Sequence, residues 1–156
     1  MALVRILIDG YSLLHSWPEL APGVPRHSEQ ARDALVEMLT HYQDASHTPV
    51  TIFFDGQGPR RSKPKNESGS PVEVLFSNSG QTADDLIERA ALRFQDYGEV
   101  LVVTDDRAER DVVGGFGGSV AGCANFIGMI QNALADLEEN VNNHNRKEKK
   151  RFSRLP

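Results

Sequence analysis

Apolar positions fall into short β-branched runs separated by stretches with helical spacing. Leu3–Ile8, broken only by Arg5, stops at Asp9-Gly10, the pattern of a buried strand that enters a sharp turn. Val50–Phe54 is a second such run and also ends on Asp-Gly, at Asp55-Gly56; Val72–Phe76 is a third. The fourth, Val100–Val103, is followed by Thr104-Asp105-Asp106. Between the strands, Ser28 can cap a helix in which Ala31, Leu35, Met38, Leu39 and Tyr42 recur at helical spacing as far as Ala45. Thr82 and Asp85 form a capping pair for another helix, with Leu86, Ile87, Ala90, Ala91 and Phe94 on its apolar face. The cluster Gly114–Gly118 reads as a flexible approach to a last helix capped by Ser119. Val120, Ala124, Ile127, Ile130, Leu134 and Leu137 line one face of that helix, which fades near Asn142.

Strands that alternate with helices predict an α/β fold: a three-layer α/β/α sandwich around a mainly parallel sheet, formed by residues 1–145. In such sheets ligands bind outside the carboxyl ends of the strands. Residues 56–71 have no periodicity and are rich in Gly, Pro, Ser, Lys and Arg, so they form a loop long enough to expect a function or disorder. The longest apolar runs fall far short of the ~20 residues that span a bilayer, and the start of the chain has no signal-peptide pattern. No membrane association and a cytoplasmic location are therefore expected. The single cysteine, Cys123, excludes an internal disulfide framework and sits on an apolar helical face, where it reads as core.

The net charge of −5 is unevenly spread. A basic, flexible tail is expected at residues 146–156, which carry six Lys/Arg against Glu148, and the body before it is acidic. Within the body, the 56–71 loop concentrates Arg60, Arg61, Lys63 and Lys65 against Glu67. Mobile cationic segments beside an acidic domain can draw in a polyanion, and in RNA binding they would neutralise phosphates in a salt-dependent way; both segments equally fit plain solvated surface.

Three of the four strands run into aspartate, so Asp9, Asp55 and the Asp105-Asp106 pair share one edge of the sheet. Asp84-Asp85 lies in the first turn of a helix, where the amide dipoles favour negative charge. Two carboxylates 4 Å apart repel by roughly 4 kcal/mol at an effective dielectric of 20, so such a cluster raises its pKa values or recruits a cation. Mg²⁺ or Mn²⁺ is the simplest compensator, and an ion held by carboxylates suits phosphodiester hydrolysis. Aspartate also caps and turns well, and Asp55 and Asp85 fit that structural role best.

Ile8-Asp9-Gly10-Tyr11-Ser12-Leu13-Leu14-His15 resembles the opening motif of the YacP-like NYN domains, and Trp17-Pro18-Glu19-Leu20 continues it. Phe53–Gly56, Gly80–Asp85 and Val103–Glu109 resemble the later blocks in the same order, so the likeness covers residues 3 to 138. The resemblance implies a PIN-like fold and a divalent-metal-dependent endoribonuclease acting on RNA through an aspartate-held metal and an activated water. It implies Asp9, Asp84 and Asp106 as the catalytic, metal-binding residues, with Asp85 and Asp105 as weaker candidates. Ser12 stands where the family has Asn, keeping a hydroxyl and losing an amide donor. Ser12, Arg60, Arg61, Lys63, Lys65 and Arg107 are the candidate substrate-binding residues; Arg107 could instead pair with the acidic cluster. Tyr11 and His15, close to Asp9, could stack on a base or simply pack.

Two other classes compete with the nuclease. A non-catalytic RNA- or ribosome-binding module is favoured by Ser12 and the two basic segments. An aspartate-based phosphohydrolase would use Asp9 as nucleophile, but Tyr11 occupies the place of its expected second aspartate. Gly114–Gly118 lacks the lysine of a phosphate-binding loop, and no nucleophile elbow is present.

Overall fold

Five parallel strands pair in the order β3-β2-β1-β4-β5, and the chain crosses from one half of this sheet to the other after β3. The computed structural model describes residues 3–56, 72–78 and 80–153. The strands are β1 (Leu3–Asp9), β2 (Val50–Phe54), β3 (Glu73–Phe76), β4 (Glu99–Val103) and β5 (Ser119–Ala121). The helices are α1 (Gly10–Ser16), α2 (Glu29–Ser46), α3 (Ala83–Gln95), α4 (Arg107–Gly115) and α5 (Cys123–Ser153), with a short 3-10 turn at Pro18–Leu20.

The two-residue period of the strands divides the core into two layers. Ile6 and Ile8 of β1, Val50, Ile52 and Phe54 of β2, and Leu101 and Val103 of β4 pack with α1, α2 and α5. Leu7, Phe53, Val100 and Val102 point the other way, into a second cluster with Ala83, Ile87, Ala91 and Val113 of α3 and α4. This is the expected three-layer α/β/α sandwich. Its central strand is buried on both faces, which is why β1 reads as a nearly continuous apolar run.

The order of the strands creates a switch point between β1 and β4, whose outward connections lead to opposite halves of the sheet. A crevice at the carboxyl ends of these two strands is where such folds bind ligands. Gly10 lets the start of α1 lie close against the sheet there: a Cβ at this position would overlap the ring of the buried Phe54.

Three expectations are corrected. The chain after Asp9 is not only a turn, because Asp9 caps α1 by accepting from the backbone N–H of Ser12. Gly114–Gly118 is not a simple approach to the last helix: α4 runs to Gly115, and Ser119–Ala121 forms β5, in register with Leu101–Val103. Ser119 and Val120 are therefore strand residues, and the last helix starts at Cys123. That helix does not fade near Asn142 but continues to Ser153; its Lys, Arg and Glu residues are good helix formers, and cations suit a helix C-terminus.

Candidate active site

The switch point gathers the acidic groups. Asp9 closes β1, Asp84 stands in the first turn of α3, and Glu109 stands in the first turn of α4. One carboxylate oxygen from each lies within 4.8 Å of the other two. Glu109 is 2% exposed. Among the described residues neither of its carboxylate oxygens has a hydrogen-bond partner of good geometry, although Asp84 and Thr104 stand alongside. Among the described residues, no cationic side chain pairs with any of the three.

Each carboxylate is delivered by a local device. Asp9 accepts from Ser12 N through Oδ1 (3.3 Å) and from the Thr104 hydroxyl through Oδ2 (3.4 Å). The buried Thr104 oxygen also accepts from Asp106 N at 3.1 Å, so it couples the end of β4 to both sides of the site. Asp84 is placed by a reciprocal cap in which Thr82 Oγ1 accepts from Asp85 N (3.1 Å) and Asp85 Oδ2 accepts from Thr82 N (3.2 Å). Asp55 adds a further cap by accepting from Ala83 N at 2.6 Å. Glu109 is placed by Asp106, the N-cap of α4, whose Oδ1 accepts from Ala108 N (2.9 Å) and Glu109 N (3.4 Å).

This crowding disfavours ionisation. Burial, opposed by the Ser12 N–H and reinforced by the charges of Asp84 and Asp55, pushes Asp9 up to about 6. Glu109 is driven well above the usual carboxylate range, by burial first and then by Asp84 and Asp9. An all-oxygen donor set with two orphaned buried oxygens and no organic cation fits a hard divalent ion.

Of the aspartates expected here, the structure brings Asp9 and Asp84 together and leaves Asp106 outside the group, as the exposed cap of α4. Asp85 belongs to the α3 cap. Asp105 turns away: its Oδ1 accepts from Cys123 N (2.8 Å) and its Oδ2 from the Ser16 hydroxyl (2.8 Å). Burial alone would raise its carboxyl, but these bonds and Arg110 outweigh it and hold it below the usual value. Ser12 Oγ accepts from Asp105 N, so Ser12 serves the frame of the site. Arg107 is exposed at the start of α4. Arg60, Arg61, Lys63 and Lys65 lie outside the described residues. Cys123 is fully buried and pushed up to about 11 by burial, which suits the core role expected of it.

Glu109 is the residue missed in the sequence. The signal was present in the spacing Asp106-Arg-Ala-Glu109, a capping residue followed three positions later by glutamate, which announces a helix start.

A parallel α/β sandwich with buried carboxylates at its switch point is an architecture suited to metal-assisted chemistry on phosphate esters. Residues 6–155 match the YacP-like NYN domain model, and the chain belongs to that family, a nuclease-type family related to the PIN-like nucleases. Over 137 residues it is 30% identical to protein YacP of Bacillus subtilis (strain 168), an alignment that covers 87% of this chain and 80% of that protein. The crystal structure of a mutant of Rae1 (YacP) from Bacillus subtilis superposes with a TM-score of 0.76 at 25% identity, over 92% of this chain and 85% of that one. A second crystal structure of Rae1 (YacP) gives a TM-score of 0.75 at 24% identity, over 96% of this chain and 85% of that one. No helix among the described residues is long and apolar enough to cross a membrane.

Proposed function

We propose that the protein is a divalent-metal-dependent endoribonuclease of the cytoplasm that hydrolyses RNA phosphodiester bonds with Mg²⁺ or Mn²⁺. The observation that carries this reading is the buried Glu109 carboxyl, neither of whose oxygens has a hydrogen-bond partner of good geometry among the described residues, beside Asp9 and Asp84. Asp9, Asp84 and Glu109 would hold the ion. When bound, it supplies positive charge for the phosphodiester oxygens and a water acidified for attack. Thr104 and the Ser12 N–H orient Asp9, and Asp106 fixes Glu109 through the α4 cap. Burial favours a proton on Glu109 that an ion held there would replace, so affinity for the ion would rise with pH. Arg107 and the cations Arg60, Arg61, Lys63 and Lys65 are the proposed substrate contacts, while the Ser12 hydroxyl is engaged with Asp105 N and Cys123 and frames the site.

The test is incubation with a labelled mixed-sequence RNA in Mn²⁺, in Mg²⁺ and in EDTA, with Asp9→Asn in parallel. Metal-dependent cleavage by the wild type alone is expected. Wild-type rates from a folded Asp9→Asn variant would sink the site assignment. RNA retained without cleavage under any condition would instead favour the binding module, free or on the ribosome.

A further inference from the structure

Arg32 sits where its own helix does not favour it. It lies in the first turn of α2, behind the Ser28 cap, and the amide dipoles there disfavour a cation. No carboxylate among the described residues pairs with it. Its Nη1 donates to the Tyr11 hydroxyl (3.2 Å) and to the His27 carbonyl (2.9 Å), and the guanidinium stands over the Phe76 ring, 5.9 Å from its centroid. Nε and Nη2 have no acceptor among the described residues.

This arginine belongs to the carboxyl edge of the sheet. α2 returns antiparallel to the strands, so its first turn lies at that edge; Tyr11 is two residues beyond Asp9, and Phe76 ends β3. The Tyr11 ring packs at 4.9 Å from Phe54 and 4.4 Å from His27, whose side chain is exposed. Arg26, also without a carboxylate partner among the described residues, is tied to the Leu14 carbonyl at 2.9 Å and adds positive charge on the same side.

We propose that Arg32 and His27 form a nucleotide subsite flanking the acidic cluster, in which Arg32 takes an RNA phosphate and His27 stacks on the adjacent base. The inference rests on the RNA reading above and assigns residues to one flank of it. An acidic centre repels the phosphates around the bond it would cut, and a guanidinium at the same sheet edge, with no carboxylate partner among the described residues, offsets that repulsion. The planar fork of arginine matches two phosphate oxygens, and its two neutral partners hold the fork without cancelling its charge. A base must be unstacked to reach an imidazole, so the ligand is single-stranded RNA.

The experiment is equilibrium binding of a fluorescent single-stranded mixed-sequence RNA to the full chain in EDTA, over a series of salt concentrations. Arg32→Gln, expected to fold, should weaken binding and lower the log–log salt slope by about 0.7, the share of one phosphate contact. His27→Ala should weaken binding by fivefold or more, on the order of one lost base stack, with the slope unchanged. Arg32→Lys should keep the slope and lose part of the affinity, and it decides the matter if Arg32→Gln fails to fold. An unchanged slope in folded Arg32→Gln, unchanged affinity in Arg32→Lys, or a wild type that binds no RNA would overturn the subsite. Variant-sensitive binding without any metal-dependent cleavage would sink the nuclease reading alone.

Discussion

The Ser12 hydroxyl accepts a hydrogen bond from the backbone N–H of Asp105 at 3.1 Å, which ties the first turn of α1 to the loop after β4. The same hydroxyl receives the Cys123 thiol at 3.5 Å, and the Ser12 N–H reaches Asp9 Oδ1. One side chain therefore joins three segments that frame the switch point. Ser12→Ala should destabilise the protein by about 1 kcal/mol, the net worth of a typical hydrogen bond, measured by denaturant unfolding. Asp9 is held by the Ser12 backbone, so metal-dependent cleavage should fall far less than in Asp9→Asn. Equal losses in the two variants would give the hydroxyl a direct part in the reaction.

Glu109→Gln separates stability from ion binding. Without metal, burial and the neighbouring Asp84 and Asp9 favour the protonated Glu109 carboxyl, so a neutral amide of similar shape should change stability by no more than about 1 kcal/mol. The variant should, however, lose the Mn²⁺-dependent rise in Tm expected of the wild type, which corresponds to about 2.7 kcal/mol of added stability at a hundredfold excess over Kd. Thermal unfolding with and without Mn²⁺ reads both effects. A full Mn²⁺-dependent rise in Glu109→Gln would remove Glu109 from the ion-holding set.

The pH dependence follows from the direction of the two shifts. Asp9 titrates at about 6 in the fold against an ordinary 3.8. Between those values the folded chain keeps a proton that the unfolded chain has released, so this contribution is full below about pH 4 and lost as pH rises through the folded value. Glu109 is shifted the same way and extends the loss to higher pH. Metal-free Tm should therefore fall on these groups' account as pH rises from acid toward neutral, whereas the added stability from Mn²⁺ should grow. Tm measured in EDTA and in Mn²⁺ across this range tests the pair, and parallel curves would contradict the site.

Periodicity made the sheet legible in the sequence. β2 lies where Val50–Phe54 places it, and α2 and α3 start behind Ser28 and Thr82, because each of these elements carries its own pattern and cap. β5 was not legible: three residues after a glycine cluster carry no period, and only pairing with β4 makes them a strand. α1 and α4 were hidden for a related reason. Both are short and begin on an aspartate that also reads as the end of a strand turn, Asp9 in one case and Asp106 in the other. Missing α4 is what hid Glu109, since a glutamate in a loop gives no cause to expect burial. Strand ends and helix starts placed Asp9 and Asp84 only within a wider acidic edge that also held Asp55, Asp85, Asp105 and Asp106; it was the family resemblance that singled them out, together with Asp106.

Asp106 is where the family resemblance and the geometry make different demands. The resemblance implies a metal ligand, whereas the carboxyl is engaged by the Ala108 and Glu109 amides and lies outside the group formed by Asp9, Asp84 and Glu109. Asparagine caps a helix about as well as aspartate, while alanine in its place costs about 1 kcal/mol. Asp106→Asn should therefore keep the stability of the wild type and most of its Mn²⁺-dependent rise in Tm, and Asp106→Ala should lose stability. Asp84→Asn should lose the Mn²⁺ effect altogether. Cleavage should follow the same order, with Asp106→Asn the mildest, because Asp106 acts on Glu109 through the helix start that both share. If Asp106→Asn and Asp84→Asn lost the Mn²⁺ response equally while remaining folded, Asp106 would belong among the groups that hold the ion.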